Sequence, residues 1–388
     1  VSRSLSAEQA GRAAFRPPGP ATADAAAKST EPASRDTVAS ALSARRHAQV
    51  LTLALALGAL ALAACSGLVL GAVRIPPGEV IAYFAHPLGL GGSPESSTVA
   101  VLGDIRLPRL ALSLVGGAAL ALAGAAMQGT FRNPLADPGV VGVSAGCAAG
   151  AAVATVAGVS LGALPGLGAV AASAFVGGLL ASLFAYRFAR YEGRTEVLTL
   201  ILAGIAVNAI GLGVLGWMLY IADDAELRSL TGWLLGSFAG AHWRDVALVA
   251  ALLAVGIVVL QPLARSLDAL ALGEREASDL GVPVERVRAL AIAAASLLTA
   301  GTVAVAGSIS FVGLVAPHIV RLAAGPGHRF LLPTSAVAGA ALCGLADLAA
   351  RTVALPQEVP IGVVTALVGG PFFLWLVRRA RVRAVVVR

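Results

Sequence analysis

The chain contains a single lysine, Lys28, with no glycine in phosphate-loop register before it, so the pattern G-x-x-x-x-G-K-[ST] is absent. Any ATP chemistry linked to this protein must come from another polypeptide. Charge is scarce, at 13% of the 388 residues, and aromatic residues make up only 5%. That scarcity, with the basic residues scattered between apolar blocks, excludes a nucleic-acid-binding module, which needs a basic face. Cysteine is equally rare. Cys65, Cys147 and Cys343 lie far apart in apolar stretches without His or Cys at metal-ligand spacing, and they read as small packing residues. Leu62-Ala63-Ala64-Cys65 has the form of a lipoprotein cleavage box behind Arg45-Arg46. Cleavage is not expected there, because the apolar segment begins late and further spans need it as their anchor.

What is abundant is apolar: 57% hydrophobic residues, 45 glycines and a mean hydropathy of +0.85. These values indicate an all-α polytopic membrane protein. Residues 1–46, rich in Ala, Ser, Pro and Arg without apolar periodicity, are expected to be a disordered cytoplasmic tail. Residues 47–380 form the expected transmembrane domain and residues 381–388 a cytoplasmic C-terminal tail. Stretches free of Asp, Glu, Lys and Arg run 47–73, 110–131, 138–186, 197–222, 246–264, 289–320, 330–346 and 359–377. A crossing takes about 20 residues, so 138–186 holds two spans, broken at Gly162 to Gly168 around Pro165. The stretch 289–320 is either one long span or two with a break near Gly307 to Gly313. Arginine decides it. Ten spans with both termini cytoplasmic leave only Arg74, Arg106, Arg109, Arg228, Arg244 and Arg351 outside, and nine would move the arginine-rich C-terminus outside too.

Small residues such as Gly116-Gly117-Ala118-Ala119 allow close helix packing. Arg109 before Ala123-Gly124 and Arg286 before Ala300-Gly301 share one spacing on oppositely directed segments, a faint inverted repeat. Three loops stand out. Leu272 to Pro283 is the most charged cytoplasmic loop, with apolar Leu272, Leu280 and Val282, and reads as a short helix stopped by Gly281. It is either a solvated loop or a docking helix for a cytoplasmic partner. Arg106-Leu107-Pro108-Arg109 lies on the outer side of the second span, against the orientation bias. Its arginines either snorkel to lipid phosphates or meet an anionic partner. The third, Arg132-Asn133-Pro134-Leu135-Ala136-Asp137-Pro138-Gly139, forces a break after the second span, with Asn133 able to satisfy freed backbone groups. His318 and His328 have no further ligand type clustered with them and read as structural, and Asp347 and Arg351 are spaced for an i,i+4 pair.

In order, these segments resemble the FecCD permease family, the membrane subunits of ABC importers for ferric siderophores, haem and vitamin B12. The likeness is carried by RLPR followed by GGAALALAGAAMQGTFRNPLADPGVVGVSAG, by GWLLGSFAGAHW, LGEREASDLGV and GSISFVGLVAPHIVRLAAGPGHRFLLP, and by ADLAARTVALPQEVPIGVVTALVGGPFFLWLVRR. It covers Val50 to Arg379. The resemblance implies a type II ABC importer permease fold with inverted repeats, in the cytoplasmic (inner) membrane of a prokaryote. A second copy, or a paralogous permease, would complete the pore. Two cytoplasmic ATPase subunits would bind ATP and Mg, an extracytoplasmic substrate-binding protein would dock outside, and this chain would carry no cofactor. By the same likeness, Leu272, Gly273, Glu274, Glu276, Ala277 and Gly281 belong to the ATPase coupling loop. Arg106, Arg109 and Arg351 become binding-protein docking residues, and Asn133 and Leu135 lie near the cytoplasmic gate.

The expected function is a membrane-spanning importer subunit without its own ATPase site, with ferric siderophore as first cargo and vitamin B12 or haem as the alternative. An ion-coupled secondary transporter is the rival of another class. It is disfavoured because no charge-free span carries an Asp or Glu at its centre. An intramembrane enzyme lacks a nucleophile with its base, or a metal cluster, within the spans.

Overall fold

The computed structural model describes residues 35–71, 73–90, 92–158 and 168–386. The chain divides into two compact units, Val1–His47 and Ala48–Arg388. Within these, helix α1 covers Arg35–Val69. It is followed by α2 (Pro77–Ala85), α3 (Ser96–Thr130), α4 (Val143–Val156) and α5 (Ala169–Phe188). A two-residue hairpin, β1 (Arg190–Tyr191) with β2 (Arg194–Thr195), leads to α6 (Val197–Ile221), α7 (Asp224–Leu235) and α8 (Trp243–Leu260). Two short helices, α9 (Ala264–Leu270) and α10 (Glu274–Asp279), precede α11 (Val284–Ala306), α12 (Val312–Ala324), α13 (His328–Ala350) and α14 (Ile361–Val386). Among the described residues seven helices are long and apolar enough to cross a membrane. Three shorter apolar helices, Val143–Val156, Val312–Ala324 and Ile361–Leu376, bring the candidates to the ten expected.

The long apolar stretch 289–320 is broken where glycine permits it. Helix α11 ends at Ala306, Gly307 takes φ +72°, and α12 begins after Phe311, itself left-handed at φ +67°. In the other long stretch α4 ends at Val156 and α5 starts after Gly168, while most of the expected break, around Pro165, lies outside the described residues.

Two boundaries differ from expectation. Residues 35–46 are helical and continue into the first span, because Ala- and Arg-rich sequence extends an existing hydrogen-bond ladder at little cost. The rest of the expected tail lies outside the described residues. At the other end α14 runs on to Val386, so the helix continues past residue 380.

Helix α3 is the centre of the bundle: its most apolar window is 83% buried, against 11% for α1. Sequence explains this through side-chain size. A methyl group on Gly117 would overlap the carbonyl of Gly339, and one on Gly124 would overlap that of Gly313, so α13 and α12 approach α3 at backbone distance. Helices α3 and α13 run antiparallel in one continuous register. Arg109 meets Asp347, Gly117 meets Gly339, and Gly129 meets the His328 ring.

Candidate functional site

Two charged regions are built on this frame, and the same antiparallel pair of helices joins them. At one end, α3 begins at Ser96 rather than at the first charge-free residue, and it holds Arg106 and Arg109 within the helix. The arginines expected to flank the span on its outer surface are therefore buried: Arg106, Arg109 and Arg351 are 4%, 6% and 4% exposed. A guanidinium out of water needs partners, and each finds them in this chain. Arg109 Nη2 lies 2.9 Å from Asp347 Oδ1, and its Nη1 donates to both Glu358 oxygens at 2.9 Å. Arg351 Nε stands 3.6 Å from Asp347 Oδ2, which realises the expected i,i+4 pair, and its Nη2 donates to the Gly67 carbonyl at 2.9 Å. Arg106 donates to the carbonyls of Leu68 and Val73. The cluster holds three guanidinium groups against two carboxylates, and its only half-exposed member is Glu358, whose side chain is 41% accessible. Glu358 went unnoticed in the sequence, its one signal being a carboxylate just before the last span. Arg74, Arg228 and Arg244, the other arginines expected outside, are exposed.

At the other end the segment Leu272 to Pro283 forms the short helix α10, as expected from its glycine stop. Gly281 sits at φ +79°, and the Val282 N–H returns to the Ala277 carbonyl at 3.0 Å. Ala277 is fully buried beneath it, and Gly273, at φ +144°, lies against the Glu276 carboxylate. Leu272 and Leu280 point away from the bundle, 69% and 67% exposed, whereas Val282 packs onto the core. Glu274 anchors the helix to Arg288 Nη2 at 2.5 Å. Arg288, expected in an open loop, instead lies inside α11 at 1% exposure and also donates to Glu285 and to the Thr195 carbonyl of the hairpin. One turn before α10, Asp268 on α9 accepts from the backbone N–H of His328 at 2.8 Å and faces its Nδ1 at 2.6 Å. Neither Asp268 nor Arg288 stood out in a sequence already rich in charge at that point.

The linker after α3 lies at this same end. Asn133 Oδ1 accepts from the Leu135 N–H at 3.0 Å, and Arg132 adopts φ +51°, so the expected turn is built by the expected residue. Arg132 Nη2 reaches Glu274, the first residue of α10, at 3.7 Å. Half-buried Asp137 caps the next turn by accepting from Gly139 N–H at 2.8 Å, and desolvation pushes its carboxyl above its ordinary value. Among the described residues no three His, Cys, Asp or Glu side chains converge as metal ligands.

A family model, the FecCD transport family, matches residues 59–379. The chain belongs to the FecCD transport family. It is a multi-pass ABC importer permease and is not itself an ATPase; membership implies a separate ATPase and a binding protein. It is 45% identical over 308 residues to the cobalamin import system permease protein BtuC of Halobacterium salinarum, covering 79% of this chain and 80% of that one. It is 42% identical to the hemin transport system permease protein HmuU of Yersinia pestis, over 72% of this chain and 83% of that relative. Among solved structures, an inward-facing metal-chelate type ABC transporter superposes with a TM-score of 0.74 at 31% identity, covering 84% of this chain and 98% of that one.

Proposed function

We propose that this FecCD permease passes cobalamin across the cytoplasmic membrane of a prokaryote, driven by two ATPase subunits seated on Leu272 to Gly281. The likeness to cobalamin permeases along most of both chains carries the cargo, and haem, from the hemin permease, is the second reading. Ferric siderophore, expected first from the sequence, falls behind both.

The exposed Leu272 and Leu280, flanking a short helix locked down by Glu274 and Ala277, support an ATPase seat, since unpartnered apolar side chains beside a held element suit a partner surface. Outside, the exposed Arg74, Arg228 and Arg244 supply the first attraction for an acidic binding protein, which favours encounter and orientation. Arg106, Arg109 and Arg351 take part only through exchange, a partner carboxylate replacing Glu358 on Arg109. Asn133 and Leu135 hold the turn at the cytoplasmic gate, and two copies of the chain enclose the path. Uptake of labelled cobalamin, hemin and a panel of ferric siderophores, in cells with and without this gene, tests the cargo. Loss of cobalamin uptake alone is expected; loss of a siderophore alone would overturn the reading.

A further inference from the structure

We propose that α13 is a rigid rod connecting the ATPase seat to the buried arginine cluster, and that Asp268 and His328 form its cytoplasmic joint. The inference rests on the reading of Leu272 to Gly281 as the ATPase seat. It assigns positioning roles to two residues outside that seat.

The joint is made of two bonds on one oxygen. Asp268 Oδ1 accepts from the first backbone N–H of α13, that of His328, at 2.8 Å, and stands 2.6 Å from Nδ1 of the same residue. An ionised carboxylate can only accept, so Nδ1 carries the proton. His328 is 1% exposed and cannot swing away from this contact, because the opposite edge of its ring lies against the backbone of Gly129: a Cβ placed there would be 2.5 Å from Nε2. Asp268 sits on α9, separated from α10 by a three-residue turn, so a push on α10 reaches it directly. A second strut, the Gln261 Nε2 donating to the Arg329 carbonyl at 3.2 Å, ties the end of α8 to the same helix start.

From this joint α13 runs 23 residues, roughly 34 Å at helical rise, to Ala350. It is held against α3 at the Gly117 and Gly339 contact midway and by Arg109 with Asp347 at the far end. Pro333 interrupts the hydrogen-bond ladder near the start of the rod, but the helix is clamped on both sides of it, at Gly129 with His328 and at Gly117 with Gly339, so motion at Asp268 is delivered to Asp347. Through Arg109 it then reaches Glu358, the exposed rim of the cluster. Coupling of this kind is reciprocal, so a partner that displaces Glu358 outside alters the set of α10 inside.

The test uses the complete complex of permease, ATPase and binding protein in lipid nanodiscs, comparing the parent with Asp268→Ala and Asp268→Glu. Hydrogen–deuterium exchange over residues 351–360 is measured without nucleotide and in the ATP-trapped state. In the parent, ATP trapping is expected to change exchange in that loop. In Asp268→Ala the change disappears and transport per ATP falls by about tenfold, within the usual range of allosteric coupling, while the ATPase still binds. Asp268→Glu, which keeps the carboxylate, restores both. Persistence of the ATP-dependent change in Asp268→Ala, or its absence in the parent, overturns the proposal. Glu276→Arg serves as the separate control for the seat. If it leaves transport per ATP unchanged, the seat has been misplaced, whereas if it uncouples and Asp268→Ala does not, the joint alone fails.

Discussion

The two ends of the bundle both carry clustered charge and treat it in opposite ways. At the arginine cluster every guanidinium is buried and bound within the chain, and only Glu358 meets solvent. At Leu272 to Pro283 Glu274 fastens the short helix from behind to Arg288, while two leucines stand free in front. One end is closed on itself and the other is presented. The difference teaches that charge count does not identify a docking surface; what matters is which groups the chain has already partnered.

The comparison breaks most severely at Asp347. Asp347→Ala leaves Arg109 and Arg351 buried beside one remaining carboxylate, and stranding a buried charge costs about 3–5 kcal/mol. Thermal unfolding of the purified permease is expected to show a clear loss of stability, and a variant as stable as the parent would mean that the cluster is hydrated. The presented end responds differently. Leu272→Ser with Leu280→Ser removes apolar area that only a partner can cover, weakening ATPase association by about 2 kcal/mol, or roughly thirtyfold, with unfolding unchanged. A titration of ATPase onto the permease in nanodiscs reads this directly, and unaltered affinity would remove the leucines from the seat.

Gly281→Pro sharpens the same contrast on a smaller scale. Proline cannot adopt the φ of +79° found there, so the stop of α10 is rebuilt and transport per ATP is expected to fall by about tenfold. Proteoliposomes with matched ATP hydrolysis would reveal it. The smallest effect is expected at the exposed outer arginines. Arg228→Glu should weaken binding-protein docking by roughly two- to fivefold in low salt and by less as ionic strength rises. An effect independent of salt would argue against long-range attraction there.

Much of this architecture was legible in the sequence, because a membrane span is written in composition and a helix break in glycine. The break after Ala306, the short helix stopped at Gly281 and the turn built by Asn133 each follow from a local rule, and each is present. What the sequence hid was pairing. Asp347 and Glu358 are far from Arg109 in the chain, as Gly67 is from Arg351, and nothing local reveals that they meet, so the arginines read as surface charge when they are interior. The same blindness applied to Arg288 and Asp268. A charge-free criterion also cut the second span short, since it treats any arginine as a boundary although a paired one can lie within a helix. Cargo left no signal at all in local pattern, and the proposal of cobalamin rests on the whole chain's likeness to its relatives.

The most direct test of the account is transport of radiolabelled cobalamin into proteoliposomes that hold the permease with its ATPase and binding protein. Uptake that requires ATP and the ATPase, and that continues when ionophores collapse every ion gradient, is the predicted result. Uptake by the permease alone, driven by a proton or sodium gradient without ATP, would contradict it.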